Sequence, residues 1–257
     1  MRKEDYADMY AIEEDFWWYA GMREITASML DMFQTERNVR ALDIGCGTGA
    51  NLTWLTRYAN DTNVYGIDLV ETALTFCRER NLKNLTQASA TDLPFADEAF
   101  DVATSFDVLV QIPDDGVDEK AIAEMYRVLK TGGLAFVRVA AYEWMRSGHD
   151  EAINSQRRYT LKEIKTKMER ADFKILRATY ANTFLFPLAA TRRLLLKRIG
   201  LSEKGSEVKP FSPRLQWLNN LFAKTLSLEA RLLKNKNRRL PFGLSAICIA
   251  TKAETRP

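Results

Sequence analysis

The sequence predicts an α/β protein in which a mostly parallel sheet carries helices on both faces. Short apolar runs alternate with segments of helical periodicity between about residues 39 and 180, an order typical of strand-helix-strand units. A glycine-rich turn follows the first apolar run directly. A chain of 257 residues with 46% hydrophobic content is long enough to bury one large core.

The individual elements follow from local patterns. An N-terminal helix is expected over residues 15–34, where apolar residues recur near helical spacing and Asp15 can cap the start. The predicted parallel strands are residues 39–44, 63–67, 85–88, 100–106 and 134–140. The helices between them are predicted at residues 49–58, 71–80 and 119–129, with a turn at residues 131–133.

The end of the chain departs from this alternation. Residues 173–179 and 246–251 are both strand-like, but about 60 residues separate them, far more than a hairpin connection needs. This length predicts an inserted subdomain with two helices, residues 188–199 and 213–234, joined by a linker rich in Gly, Ser, Lys and Pro.

Composition excludes several classes of protein. Cys46, Cys77 and Cys248 are odd in number and form no Cys-x-x-Cys pair, which argues against a disulfide framework or a zinc site and favours a reducing compartment. The N-terminus resembles no secretory signal. Residues 184–196 are the most membrane-like run, but Arg192 and Arg193 interrupt it well short of the ~20 residues that a span requires.

The glycine turn indicates the kind of ligand. Gly45, Gly47 and Gly49 stand at alternate positions, whereas a dinucleotide fingerprint needs Gly-x-Gly-x-x-Gly. Asp43 would repel a diphosphate at this turn, but its carboxylate can hold an ammonium group. Asp68 ends the second strand about 20 residues beyond the turn, where a carboxylate accepts ribose hydroxyls. An amino-acid group joined to a ribose describes S-adenosylmethionine.

On these residues the chain resembles the class I S-adenosylmethionine-dependent methyltransferases, in particular the type 11 branch that includes the ubiquinone and menaquinone biosynthesis enzymes. The resemblance covers roughly residues 39–180 and implies a Rossmann-like, seven-stranded, mostly parallel sheet whose last two strands pair antiparallel. It divides the chain into an N-terminal helical cap (1–36), a methyltransferase core (37–182), a basic helical insertion before the last strand (183–241), and the last strand with its tail (242–257).

The resemblance also assigns the cofactor residues. The loop at residues 87–95 is similar to the family's Asp-Ala-x-x-Leu-Pro-Phe, with Ser89 where the family has its adenine-binding Asp; Ser89 can still bind, or Asp92 can substitute. The predicted residues for S-adenosylmethionine, and for its product S-adenosylhomocysteine, are Asp43, Gly45, Cys46, Gly47, Gly49, Asp68, Leu69, Ser89, Ala90 and Phe106. Methyl transfer needs alignment of donor and acceptor and, for many acceptors, removal of a proton, but it needs no metal, so no metal site is expected.

The catalytic residues are less well marked. Val110 and Gln111 replace the Glu-His that many relatives carry, so no base carries over there. Asp107 is close by and is either part of the site or a cap of the next turn. His149, the only histidine, follows the fifth strand and is a candidate base, with a surface or structural role as the alternative. Tyr159 completes the predicted catalytic set.

Four further residues are predicted to bind the acceptor. A subset of bacterial relatives carries a Trp, His-Asp and Arg-Arg-Tyr in this order, which His149, Asp150, Arg157, Arg158 and Tyr159 match. Arg157 and Arg158 could bind an anionic substrate group or be solvated residues before a helix. In the aromatic N-terminal cluster, Trp18 and Tyr19 are predicted to line the acceptor pocket.

The basic insertion admits two readings. Between residues 192 and 239 there are about 13 Lys and Arg against about 3 Glu. A basic amphipathic helix can lie on an anionic membrane, or it can pack on the domain as a lid. Nucleic acid is disfavoured because the basic residues belong to one segment and no RNA-binding module is recognisable.

The sequence therefore predicts a cytoplasmic S-adenosylmethionine-dependent methyltransferase with a small-molecule or lipid-like acceptor, with peripheral contact with an anionic membrane left open. An alternative function, of a different class, is that of a cofactor-binding, non-catalytic partner or scaffold protein. An enzyme using this turn for nucleotide or polyamine chemistry without methylation is a third reading. The sequence indicates neither the acceptor atom nor the oligomeric state.

Overall fold

A seven-stranded sheet organises the protein. The computed structural model describes residues 3–113, 116–198 and 211–253. The strands are β1 (Ala41–Ile44), β2 (Val64–Asp68), β3 (Asn84–Gln87), β4 (Phe100–Phe106), β5 (Leu129–Ala140), β6 (Phe173–Ala181) and β7 (Ser245–Lys252). The helices among the described residues are α1 (Lys3–Ile12), α2 (Trp17–Leu30), α3 (Ala50–Leu55), α4 (Glu71–Glu79), α5 (Val117–Val128), α6 (Gly148–Ala152), α7 (Leu161–Arg170), α8 (Phe186–Arg198) and α9 (Gln216–Leu233).

The strand order across the sheet is β3-β2-β1-β4-β5-β7-β6. Strands β1 to β5 are parallel to one another, whereas β7 runs antiparallel between β5 and β6. The predicted sheet, mostly parallel with a final antiparallel pair, is therefore confirmed. Strands β2 and β3 lie on one side of β1, and β4 lies on the other. In sheets of this kind ligands bind in the crevice at the carboxyl ends of the strands, where this reversal of strand order occurs.

The core has two layers, one on each face of the sheet. Successive residues of a strand point to opposite faces, so Leu42 and Ile44 pack into one cluster and Ala41 into the other. The first cluster includes buried residues of α5 and α7. The second includes buried residues of α2, α3, α4 and α9. The helices on both faces thus follow from strands that are apolar on both sides.

Two predicted elements differ from the structure. The N-terminal region forms α1 and α2 instead of one helix, and the N-cap of α2 is Phe16, so the predicted cap at Asp15 is wrong. Glu13 lies between the two helices, where its carboxylate accepts hydrogen bonds from Thr48 and Arg80. These contacts hold the chain at the interruption between α1 and α2. Strand β5 begins at Leu129, before the predicted turn, and its pairing with β4 shifts register between Phe100 and Val102.

The insertion contributes both α8 and α9. Residues 199–210, with most of the predicted linker, lie outside the described residues, as do residues 1–2 and 254–257 of the predicted cap and tail. The inner face of α9 packs against α2 and belongs to the second core cluster. Across the part of the chain that the structure describes, no helix has the length and apolar character needed to cross a membrane.

Candidate active site

The glycine turn joins β1 to α3 at the carboxyl end of the sheet. Gly45, Gly47 and Gly49 have φ values of +75°, +56° and +96°, in the left-handed region that favours glycine. A Cβ on Gly45 would lie 2.3 Å from Val108 Cγ2, so the turn passes too close to the loop after β4 for any side chain there. The N–H groups of Gly45 and Cys46 both donate to the Ile67 carbonyl, which fastens the turn to β2.

Asp43 is buried under this turn with half of its carboxylate unpaired. Its Oδ1 accepts a hydrogen bond from Thr104 Oγ1 at 2.7 Å, whereas Oδ2 is buried and has no hydrogen-bond partner among the described residues. Burial raises the pKa of Asp43 to about 7, and the Thr104 hydrogen bond only partly opposes this. A buried acceptor without a partner is costly. An ammonium group delivered to this position would satisfy it.

Asp68 lies at the end of β2, next to the same turn. Its two carboxylate oxygens accept from the Gly47 N–H at 3.0 Å and the Val70 N–H at 2.9 Å. Each oxygen keeps a second lone pair that can accept a ribose hydroxyl. Leu69, which follows, exposes two thirds of its surface and offers an apolar wall beside the carboxylate. The residues of this turn therefore fit the amino-acid and ribose groups of S-adenosylmethionine.

The predicted adenine loop after β3 is held by its own contacts. Ser89 and Asp92 form an isolated β-bridge, and the hydroxyls of Ser89 and Thr91 are 2.8 Å apart. Leu93 is buried and Ala90 packs partly buried against the first core cluster. Asp92 is exposed, and its bridge to Ser89 keeps both polar candidates of the loop close together.

Helix α1 covers the glycine turn. The sequence predicted a helical cap over residues 1–36 but assigned a helix only to residues 15–34, so this contact of residues 3–12 was not foreseen. The Met9 Cε lies 3.0 Å from the position that a Cβ on Gly47 would take. Tyr6 is buried, and its pKa is raised by that burial and then by the nearby charge of Asp68. Glu13 accepts from Thr48 of the turn and from Arg80 Nη2 at 2.9 Å. Arg80 also donates from Nε to the Thr48 carbonyl at 2.9 Å.

A second charged group, also missed by sequence reasoning, lies where β4 and β5 end. Arg138 of β5 is buried and donates from Nε to Asp107 Oδ2 at 2.9 Å. Its guanidinium lies 4.9 Å from the ring centroid of Trp18 and 5.0 Å from that of Phe106. The ring of Tyr19 is 4.9 Å from Trp18, edge to face. The predicted residues Trp18, Tyr19, Phe106 and Asp107 are therefore brought together around an arginine.

The predicted residues after β5 form a separate network. Asp150, next to His149 in α6, accepts from Arg158 Nε at 2.7 Å and Nη2 at 3.0 Å, with both side chains buried. Burial alone would raise the pKa of Asp150, but the Arg158 hydrogen bonds and charge lower it. Arg158 also donates to the Ala141 carbonyl. Its guanidinium thus holds the loop after β5 together, a contact that competes with the predicted binding of an acceptor anion.

Tyr159 is fully buried in the same network. Its hydroxyl donates to Asp118 Oδ2 at 2.8 Å, and the Arg157 guanidinium lies 4.4 Å from its ring centroid and 3.5 Å from Asp118. Burial, and then the hydrogen bond to Asp118, raise the pKa of Tyr159 well above its ordinary value. This environment favours a structural phenol over a catalytic one. A pairing of Tyr159 with a carboxylate on α5 leaves no signal in the local sequence.

Comparisons with known proteins agree with this geometry. Residues 42–137 match the family model described as a methyltransferase domain. Over 112 residues, 42% of this chain and 45% of the relative, the sequence is 37% identical to the demethylmenaquinone methyltransferase of Staphylococcus carnosus. Over 143 residues, 52% of this chain and 51% of the relative, it is 31% identical to the fatty-acid O-methyltransferase of Mycolicibacterium smegmatis. The matched part thus spans about half the length of these curated relatives.

Solved structures show the same fold. The (4+2)-cyclase SpnF superposes with a TM-score of 0.59 at 21% identity, covering 97% of this chain and 92% of that one. The fold and the glycine turn resemble those of the class I S-adenosylmethionine-dependent methyltransferases. Residues 42–137 belong to the type 11 methyltransferase-domain family within that class. The described residues contain no cluster of three or more His, Cys, Asp or Glu suited to a metal ion.

Proposed function

We propose that this protein transfers a methyl group from S-adenosylmethionine to a small, lipid-like acceptor. The observation that carries the proposal is the buried, unpaired Oδ2 of Asp43 beneath a left-handed glycine turn. A carboxylate there recognises a cationic amino-acid group and rejects a diphosphate. The acceptor class is supported by the matched relatives, which include a fatty-acid O-methyltransferase and a demethylmenaquinone methyltransferase.

The residues divide by position in the crevice. Asp43 and the glycine turn would hold the methionine part, Asp68 and Leu69 the ribose, and the loop from Ser89 to Leu93 the adenine. The cofactor supplies an electrophilic methyl group on a sulfonium. The ring centroids of Trp18 and Phe106 lie 4.9 Å and 5.0 Å from the Arg138 guanidinium, and an aromatic face that this cation does not occupy can attract a sulfonium. The acceptor would enter on this aromatic side of the crevice.

Candidate bases differ in their surroundings. Asp107 is paired with Arg138, and Tyr159 is fully buried against Asp118. His149 stands partly exposed at the start of α6, beside the loop that Asp150 and Arg158 fasten. An imidazole there suits proton removal near neutral pH, so His149 is our proposed base. Asp107 acts with Arg138 to position the acceptor.

Calorimetry with S-adenosylhomocysteine tests the cofactor assignment. The Asp43→Asn variant should bind it roughly 10- to 100-fold more weakly, since a charge-assisted hydrogen bond contributes about 1.5–3 kcal/mol. Asp61→Asn, on the exposed turn before β2, is the matched control and should bind as the native protein does. Absence of binding by the native protein would refute the proposed function.

Turnover separates an enzyme from a non-catalytic scaffold protein. Labelled methyl groups from S-adenosylmethionine should enter a lipid extract more than an aqueous metabolite extract, and His149→Ala should lose this transfer while keeping cofactor affinity. Lys162→Ala, exposed on α7, is the control. Cofactor binding without transfer to either extract would favour the scaffold. The cyclase among the structural neighbours makes this measurement necessary, because the fold by itself does not specify methylation.

A further inference from the structure

Helix α9 has two opposite faces with different surroundings. The inner face is buried against the domain through Asn219, Leu226, Glu229, Ala230 and Leu233. The outer face carries exposed residues at alternating spacings of four and three, namely Trp217, Leu221, Lys224, Leu228 and Arg231. This spacing keeps them on one side of a helix. With Trp217 59% exposed and Leu228 52% exposed, the outer face is an apolar stripe interrupted by cations.

Helix α8 presents a similar surface. Leu188, Leu194 and Leu195 are each more than half exposed, and the exposed side chains of Arg192 and Arg198 lie among them. Ala190 of this helix is buried, and Arg193 Nη1 donates to the Met145 carbonyl. Isolated exposed leucines are ordinary on protein surfaces, but clusters of them mark a site of contact.

Charge identifies what such a surface would contact. In the described parts of the insertion, residues 183–198 and 211–241, there are eleven Lys and Arg and one acidic residue. That residue, Glu229, is buried and accepts hydrogen bonds from the backbone N–H groups of Asn182, Thr183 and Phe184. In these two described ranges, the exposed surface of the insertion therefore carries no carboxylate. Its partner should be anionic.

The stripe begins beside the acceptor side of the crevice. Asn219 accepts from the Trp17 N–H at 2.9 Å and donates to the Asp15 carbonyl at 3.2 Å. Trp17 also contacts Phe222 edge to face, with centroids 5.2 Å apart. The next residue, Trp18, covers Arg138. The start of α9 is thus fastened to the segment that carries the aromatic wall of the crevice.

We infer that the outer faces of α9 and α8 dock on a bilayer that contains anionic phospholipid and present the crevice to the membrane surface. Tryptophan and leucine would enter the boundary between headgroups and acyl chains, while Lys224 and Arg231 reach the phosphates. A second copy of the chain fits less well, because a two-fold contact would set the cations of one stripe against those of the other. The inference rests on the proposed function for the lipid-like acceptor.

Vesicle sedimentation tests the docking. The native protein should bind vesicles of phosphatidylcholine with phosphatidylglycerol at low ionic strength, and should bind phosphatidylcholine alone much more weakly. Binding should weaken as salt rises. The double charge reversal Lys224→Glu/Arg231→Glu should lower the partition coefficient at least about 25-fold, since each cation near an anionic surface contributes about fivefold. Leu221→Glu should weaken binding to both kinds of vesicle.

The control is a double charge reversal on α7, Lys162→Glu/Lys165→Glu, which changes the net charge by the same amount at two other exposed lysines. This control variant should bind vesicles at least about tenfold more tightly than the α9 variant. All variants should keep native affinity for S-adenosylhomocysteine, which separates this test from that of the proposed function. Equal binding to both lipids, or equal loss in the α7 and α9 variants, would overturn the inference. So would a stable dimer, detected by sedimentation equilibrium, that fails to bind vesicles.

Discussion

Arg138 and Asp107 form an ion pair across the carboxyl ends of β4 and β5, with Arg138 Nη2 2.7 Å from Asp107 Oδ2. The backbone strengthens the pairing, because the Asp107 N–H donates to the Arg138 carbonyl. Asp107 has a φ of +58°, a conformation that costs energy for a residue with a side chain. The pair therefore holds a strained residue at the entrance to the crevice and places one buried cation among its aromatic rings.

Removing one member of this pair should destabilise the protein more than removing both. Asp107→Asn leaves Arg138 buried without a counter-charge and should cost about 2–3 kcal/mol of unfolding free energy, less than a fully buried pair because Asp107 is partly exposed. The double variant Asp107→Asn/Arg138→Met should recover part of this loss. Urea denaturation measures both. Glu169→Gln, which breaks the exposed pair with Lys165, should cost at most about 0.5 kcal/mol.

Cofactor affinity should depend on pH through Asp43. Burial raises the pKa of this carboxyl to about 7, so the ionised form that an ammonium group needs is lost as the pH falls below that value. Calorimetry should find that affinity for S-adenosylhomocysteine falls up to tenfold per pH unit between about pH 7 and pH 5. Asp43→Asn should bind weakly with little slope. A native slope equal to that of the variant would contradict the role of Asp43.

The raised pKa of Asp43 also predicts how the stability of the cofactor-free protein depends on pH. This dependence has the opposite sign to that of the cofactor affinity. A carboxyl whose folded pKa is raised contributes stability that is present below its unfolded pKa, near 4, and lost as pH rises through about 7. Without cofactor, Asp43→Asn should therefore be more stable than the native protein near pH 8. A calorimetric scan of both proteins over this range measures the difference. Saturating S-adenosylhomocysteine should reverse the order, because only the native carboxylate binds its ammonium group.

Two glycines with similar backbone angles should respond differently to alanine. Gly45 and Gly116 have φ values of +75° and +77°, but a Cβ on Gly45 would strike Val108, whereas no described residue has an atom within 4 Å of a Cβ on Gly116. Gly116→Ala should cost about 1–2 kcal/mol of backbone strain. Gly45→Ala adds overpacking and should cost roughly 3–5 kcal/mol in total. Equal losses in urea denaturation would show that the contact with Val108 relaxes freely.

Arg80 should control how long the cofactor stays bound. It joins Glu13 of the α1–α2 junction to Thr48 of the glycine turn, with only about 10% of its side chain exposed. Arg80→Gln removes the cation beside a buried carboxylate, loosens the α1 cover, and should raise the dissociation rate of S-adenosylhomocysteine about tenfold, as a loss near 1.4 kcal/mol would. Stopped-flow tryptophan fluorescence measures this rate.

Arg78→Gln, at the end of α4 and two residues before Arg80, provides the control. Arg78 pairs with Glu71, and both side chains are 52% exposed, so the loss of this pair should have little effect on stability or on dissociation. If both variants release the cofactor at the native rate, α1 does not retain it. If both accelerate release equally, the effect belongs to α4 and not to the contact with Glu13.

The alternation of apolar runs and helical segments determined the order of strands and helices along the chain and the position of the glycine turn. Strand and helix periodicity, and glycines that need positive φ, are properties of a few neighbouring residues, so Gly45, Gly47 and Gly49 could be recognised without a structure. Asp43 and Asp68 could be placed because each lies at the carboxyl end of a predicted strand, at the same edge of the sheet. Because both carboxylates lie at that edge beside the glycine turn, they were predicted to bind the amino-acid and ribose groups of one ligand.

Only the tertiary structure decided which charges pair. Arg138, Arg80 and Glu13 carry no local signal, since their partners lie 31 to 67 positions away along the chain. Arg158 and Tyr159 looked like site residues in the sequence, yet burial commits them to Asp150 and Asp118. Burying a charge is tolerated only where folding supplies a partner. Sequence periodicity thus determined the fold and the cofactor turn, whereas packing decided the cover over that turn and the charged side of the crevice.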